Sequence, residues 1–215
     1  MTIRHHPNDA TLAAFAAGAM DEGRRLVVAT HLDICPACRQ AARAFEAVGG
    51  VALHDEAAAL PLSADARKRA LDSIEQDLAS GQDLPAEKPA VAQAARQSAL
   101  SAYPLGAWRW IGPGIYWRPV DLASPDTRVF MLKAAPGTAL PDHSHTGIEW
   151  TAVLQGAFRH DHGRYGAGDF DEADESVEHN PRVEDGVECI CLVAMQGQIR
   201  FKSLIGRLLQ PFVRI

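Results

Sequence analysis

The sequence predicts a multi-domain α + β chain, a small zinc-binding helical bundle followed by an antiparallel β-barrel or double-sheet jelly roll. Three observations lead there. Residues 1–80 show helical spacing of apolar side chains and carry a His-x3-Cys-x2-Cys run from His31 to Cys38. Gly81 to Ser101 then holds Pro85, Pro89, many alanines and few large apolar residues, the composition of a linker. From Trp108 the texture changes to short β-rich runs broken by Gly and Pro, as in antiparallel barrels. The expected divisions are 1–80, 81–103 and 104–215.

In chain order, Asn8 or Asp9 can cap a first helix from Ala10 to Met20, with Leu12, Phe15 and Ala16 on one face. Asp21-Glu22 places acids at the start of a second helix, which carries Leu26, Val27, Thr30 and His31 toward the cysteines. Pro36 suits the first turn of a third helix, expected to run to about Val48 and to stop at Gly49-Gly50. After a loose stretch, Val51 to Pro61, Ser63 starts a fourth helix with Ala66, Ala70, Leu71, Ile74 and Leu78 in register. That stripe either packs back on the first three helices or is offered to a partner.

The His-x3-Cys-x2-Cys run reads as three zinc ligands. Two thiolates separated by two residues can wrap one ion, and a histidine one helical turn earlier reaches the same point. The fourth ligand has one other histidine source before residue 54, the pair His5-His6. Four protein ligands make such a site structural rather than catalytic. A thioredoxin-like redox pair fits less well, because that motif follows a buried strand and Arg25 to Ile34 reads as helix. Three short helices bury little apolar surface, and structural zinc contributes roughly 10–16 kcal/mol in small peptides.

In the second part the expected strands are Trp108–Ile111, Ile115–Val120, Arg128–Lys133, Ile148–Leu154, Val187–Val193 and Ile199–Ser203. Cys189 and Cys191 share one strand face and read as core residues. Within this region stands Gly137-x5-His143-x-His145-x3-Glu149-x6-Gly156. On a strand His143 and His145 point the same way, a turn can return Glu149 to them, and His179 offers a third imidazole. Three histidines and a carboxylate suit a divalent first-row metal. His160 and His162 are expected at the surface, and the acidic stretch Asp169 to Glu178 as a solvated loop.

The totals set limits. The chain has 215 residues and a net charge of −6, with 8 Lys/Arg against 11 Asp/Glu in residues 1–80 and 13 against 16 in the rest. That even acid excess offers no basic face for nucleic acid or anionic lipid. No signal-peptide core and no run of about 18 apolar residues is present. The four cysteines suit a reducing compartment, so the cytoplasm is expected.

The Gly137-to-Gly156 pattern resembles the first cupin motif over its full length. Tyr165-Gly166-Ala167-Gly168-Asp169 and His179 are similar to the second, without its usual Pro-x-Gly. The helical cysteine-histidine arrangement resembles the zinc-binding anti-sigma domain. Together they resemble the ChrR type of anti-sigma factor over nearly the whole chain. Leu26 to Leu32, Val153 to Phe158 and Leu208 to Phe212 add to the likeness. The resemblance implies structural zinc on His6 (or His5), His31, Cys35 and Cys38. It implies a cupin metal, zinc or another divalent ion, on His143, His145, Glu149 and His179. It also implies that an extracytoplasmic-function sigma factor is held, and released under singlet oxygen or related oxidants. The competing reading is a metal-dependent cupin dioxygenase or isomerase with a zinc-binding docking domain, favoured by the three histidines and one glutamate.

Overall fold

The structure is a computed structural model that describes residues 2–57, 62–79, 98–123 and 126–202. Among the described residues four helices precede twelve strands: α1 (Asp9–Ala16), α2 (Glu22–Ile34), α3 (Pro36–Ala57) and α4 (Ala66–Ala79). A 3-10 turn, Ala99–Ala102, leads into β1 (Arg109–Gly112), β2 (Ile115–Pro119), β3 (Arg128–Ala134) and β4 (His143–His145). The next four are β5 (Glu149–Gln155), β6 (Ala157–His160), β7 (Gly163–Gly166) and β8 (Phe170–Ala173). The last are β9 (Glu178–His179), β10 (Arg182–Val183), β11 (Cys189–Met195) and β12 (Ile199–Phe201). Residues 1–46 and 98–215 form one compact unit and 47–97 a second.

In the first unit all strand pairs are antiparallel. A six-stranded sheet in the order β1-β2-β3-β11-β5-β8 faces two three-stranded sheets, β10-β6-β7 and β12-β4-β9. This is the cupin-like double sheet. Alternation along β3 and β11 divides two cores. Phe130, Ala134, Cys189, Cys191, Val193 and Met195 point into the barrel, where they meet Phe158, Tyr165 and Val183. Val129, Met131, Leu192 and Ala194 point the other way and pack on Leu26, Val27, Val28 and Leu32 of α2. The apolar run of β11 therefore reflects a strand covered on both faces.

The helix starts follow their caps. Asn8 accepts from the Thr11 amide (2.8 Å) and Asp21 from that of Arg24 (3.1 Å). Between α2 and α3 the chain breaks at Cys35, whose amide donates to the His31 carbonyl (2.9 Å), and Pro36 opens the next helix. Two boundaries differ from expectation. The first helix ends at Ala16 rather than Met20, because Gly18 turns the chain at φ 67°. The third runs through Gly49-Gly50 to Ala57: helical glycines cost about 1 kcal/mol each, which the helix formers around them outweigh.

The expected linker lies outside the described residues as far as 97, as do 58–61 of the loose stretch and the Leu208 to Phe212 run. At its end the 3-10 turn sits against α2, with the Ala99 amide donating to Asp33 (2.6 Å). In the second unit Leu71 and Ile74 of α4 are 50% and 56% exposed, and Val48, Val51 and Leu53 of α3 are also exposed. The side chain of Leu78 is outside the described set.

Gly23 marks how closely α2 approaches the sheet, since a Cβ there would stand 2.6 Å from the Thr127 carbonyl oxygen. Gly→Ala in a helix ordinarily stabilises by about 1 kcal/mol. Gly23→Ala is expected to do the opposite, destabilising by about 1–3 kcal/mol through overpacking, as read by urea unfolding.

Candidate metal centres

The break between α2 and α3 builds the front centre. His31 lies one turn before the end of α2, Cys35 follows that helix, and Cys38 lies in the first turn of α3. Thr2 to Pro7 passes beside them. His6 Nδ1 stands 3.2 Å from Cys38 Sγ and 3.5 Å from Cys35 Sγ, while His31 Nε2 is 3.3 Å from Cys38 Sγ. Bonds of 2.0–2.3 Å in a tetrahedron require ligand atoms about 3.3–3.8 Å apart, so the three measured separations are close to a zinc fit. Of the two histidines left open by the sequence, His6 turns to the cysteines and His5 stacks on Tyr165 (4.2 Å).

The electrostatics favour a bound cation over a redox pair. Burial, and then the adjacent Cys35 thiol, push the Cys38 thiol up to about 12. A reactive Cys-x-x-Cys pair lowers its thiol instead. A divalent ion would reverse the penalty by taking the thiolate directly. Burial and the neighbouring His6 hold His31 neutral, at about 4, as a metal-binding imidazole must be.

The second centre lies inside the barrel, at the polar end of a cavity of about 360 Å³ with largely apolar walls. His143 and His145 project from one face of β4, and Glu149 opens β5. Pairing of β4 with β9 sets His143 opposite His179, their Nε2 atoms 3.0 Å apart. His145 Nε2 stands 3.2 Å from Glu149, and His179 Nε2 is 3.7 Å from its other oxygen. The His143 Nδ1–H donates to the Pro141 carbonyl (2.7 Å), which turns the Nε2 lone pair inward. Two facing ring nitrogens, one necessarily an acceptor, beside a carboxylate form an acceptor-rich cradle that fits a cation.

Burial lowers His143 and takes His179 down to about 4. His145 is also buried, yet the Glu149 carboxylate beside it raises it overall. Burial works against the Glu149 charge, but bonding to His145 and the surrounding imidazoles hold its carboxyl below the usual range. Cys189 and Cys191 are buried core residues, as expected, and they also line the cavity.

Two sequence expectations fail. The His160 side chain is buried rather than at the surface, 1% exposed on a residue that is otherwise part-exposed. Its Nε2–H donates to Asp171 (3.2 Å) and its Nδ1 accepts from the His162 amide (3.2 Å). It packs against the His179 ring (5.2 Å), and its ring, Asp171 and His179 bring three candidate ligand atoms within 4.8 Å of one another beside the second centre. The acidic stretch is also no solvated loop where it begins: Asp169 and Asp171 are buried, because each carboxylate has donors waiting. His162 is exposed, as expected.

The depressed histidines set a pH dependence for the metal-free chain. Unfolded, His31 and His179 take up protons near 6.5; folded, only near 4. The unfolded state thus binds more protons between these values, and stability present above about 6.5 is lost as pH falls toward 4. His145, with a smaller shift, opposes the trend in part. Chelator-treated protein is expected to unfold at lower urea at pH 5 than at pH 7.5; an unchanged midpoint would contradict this.

Comparison with known proteins finds a zinc-finger family at the front of the chain and a cupin-like family behind it. The family described as ChrR Cupin-like domain matches residues 100–199, and a zinc-finger family matches 10–39. The Anti-sigma-E factor ChrR of Cereibacter sphaeroides is 42% identical over 224 residues, covering all of both chains. It is named as a regulator, not an enzyme. The crystal structure of Rhodobacter sphaeroides SigE in complex with the anti-sigma ChrR matches with a TM-score of 0.69 and 40% identity. That match covers 91% of this chain and 100% of that one. Among the described residues no helix is long and apolar enough to cross a membrane. Identity of 42% over the whole of both chains, with the ChrR Cupin-like family matching residues 100–199, makes this chain a member of the ChrR family of anti-sigma factors.

Proposed function

We propose that the protein is a zinc-dependent anti-sigma factor that sequesters an extracytoplasmic-function sigma factor in the cytoplasm and releases it under singlet oxygen or related oxidants. The observation that carries this reading is the convergence of His6, His31, Cys35 and Cys38 in a chain 42% identical to an anti-sigma factor throughout. In this reading those four residues hold structural zinc, and His143, His145, Glu149 and His179 hold zinc or another divalent ion. Residues 1–80 form the anti-sigma module, 81–103 the connection, and 104–215 the sensor.

A sigma-binding module needs an apolar stripe left free for its partner. Val48, Val51 and Leu53 on α3 with Leu71 and Ile74 on α4 supply such side chains. Release requires a change in the barrel to reach the front. Direct packing of α2 on β5 and β11 supports that, because such a core moves between discrete arrangements rather than deforming smoothly.

The test is co-purification of the full chain with candidate extracytoplasmic-function sigma factors from the same genome. Wild type is expected to form a soluble complex that Cys35→Ser or Cys38→Ser abolishes, since the zinc stapling the helices is lost. Leu71→Asp with Ile74→Asp is expected to weaken the complex at least tenfold while zinc content stays constant. Failure of the wild-type chain to hold the sigma factor would reject the reading.

Sensing is tested separately with a photosensitiser that generates singlet oxygen. His143→Ala is expected to keep the complex intact during illumination that dissociates wild type, as followed by size-exclusion chromatography. Equal dissociation of both proteins would remove the barrel centre from the response.

A further inference from the structure

Three ligands of the front centre come from the contiguous α2–α3 break, and the fourth does not. His6 stands on the extended segment before α1, which must be held in place by something else. The hydrogen bonds show what holds it. Asp169, just before β8, accepts the backbone amides of Arg4 (2.6 Å) and His5 (3.1 Å), and the Phe170 amide donates to the His5 carbonyl (3.1 Å). On the other side of His6, Glu172 of β8 accepts from the Asn8 amide (3.1 Å), the Asn8 side chain (2.7 Å) and the Thr11 hydroxyl (2.6 Å). His6 thus lies between two anchors, one just before the edge strand of the barrel and one within it. Asp169 is itself fixed by the Gly166 amide (2.8 Å).

Resting on the zinc reading of the front centre, we propose that Asp169 and Glu172 are positioning residues for His6. The barrel's edge strand completes the coordination of an ion whose other ligands belong to the helices. Without the anchors, the segment must order itself to bring His6 to the cysteines, and metal affinity falls by that ordering cost. Alternation gives the same strand a second contact. Asp171, between the anchors, points into the barrel and holds His160, which packs on His179. One short strand therefore touches the surroundings of both centres.

The experiment loads the full chain with cobalt and follows thiolate-to-cobalt absorption, which reports only the cysteine-bearing site, during chelator competition. Arg4→Pro removes one amide donor to Asp169 and leaves the carboxylate in place; Arg4→Ala keeps that amide and is the control. Glu172→Ala removes the second anchor. Arg4→Pro and Glu172→Ala are each expected to weaken the front site about tenfold, the low end for lost outer-shell support. Arg4→Ala should match wild type, and His6→Ala marks loss of the ligand itself. Unchanged affinity in Arg4→Pro and Glu172→Ala, with far-UV dichroism as in wild type, overturns the proposal. So does an equal loss in Arg4→Ala and Arg4→Pro. Wild type without thiolate-to-cobalt absorption would instead reject the zinc reading beneath it.

Discussion

Val27 and Val28, with no exposed surface, lie in the helical core that packs on Leu192 and Ala194 in the middle of the six-stranded sheet. The rest of the first unit depends on that apolar contact. It gives α2 a fixed seat, and the same helix ends in His31 and Cys35. A short helix in water is marginal by itself, so tertiary burial rather than propensity is what holds α2. An ion held by His31, Cys35 and Cys38 would add a second constraint at one end of a helix already seated at its middle.

The two centres are built by different means. The front one is assembled mainly from local sequence: a helical turn brings His31 to Cys35, and a helix break brings Cys38 beside both. The barrel centre is assembled by strand pairing, with β9 carrying His179 to β4 from 34 residues beyond His145. Each uses burial in the same way. Keeping imidazoles neutral and surrounding acceptors with apolar side chains leaves a cation as the natural means of satisfying them.

β8 shows how the acidic character of a segment can mislead. Asp169, Asp171 and Glu172 sit in a run dense with carboxylates, which read as a solvated loop. Each has found donors instead: backbone amides of the N-terminal segment, the His160 ring, and the Asn8 and Thr11 side chains. A buried carboxylate is costly only when its lone pairs go unmatched. The matching groups lie more than 150 residues away in the chain for Asp169 and Glu172, so no local pattern could have announced them.

The sequence by itself determined the succession of helices and then strands, the local runs that hold His31, Cys35 and Cys38 and then His143, His145 and Glu149, and the Asp21 cap that starts α2. Those features depend on short-range spacing, which the chain carries wherever it goes. It also carries a long-range signal: β11 is apolar at every position, more than one buried face requires, because α2 covers the other. Only tertiary structure decided that α2 seats on the sheet, that His6 rather than His5 turns to the cysteines, and that the His160 side chain is buried. The reason is physical. These outcomes turn on which distant surface supplies the hydrogen-bond donors and the apolar cover, and that is settled by the fold's long-range contacts rather than by neighbours in sequence.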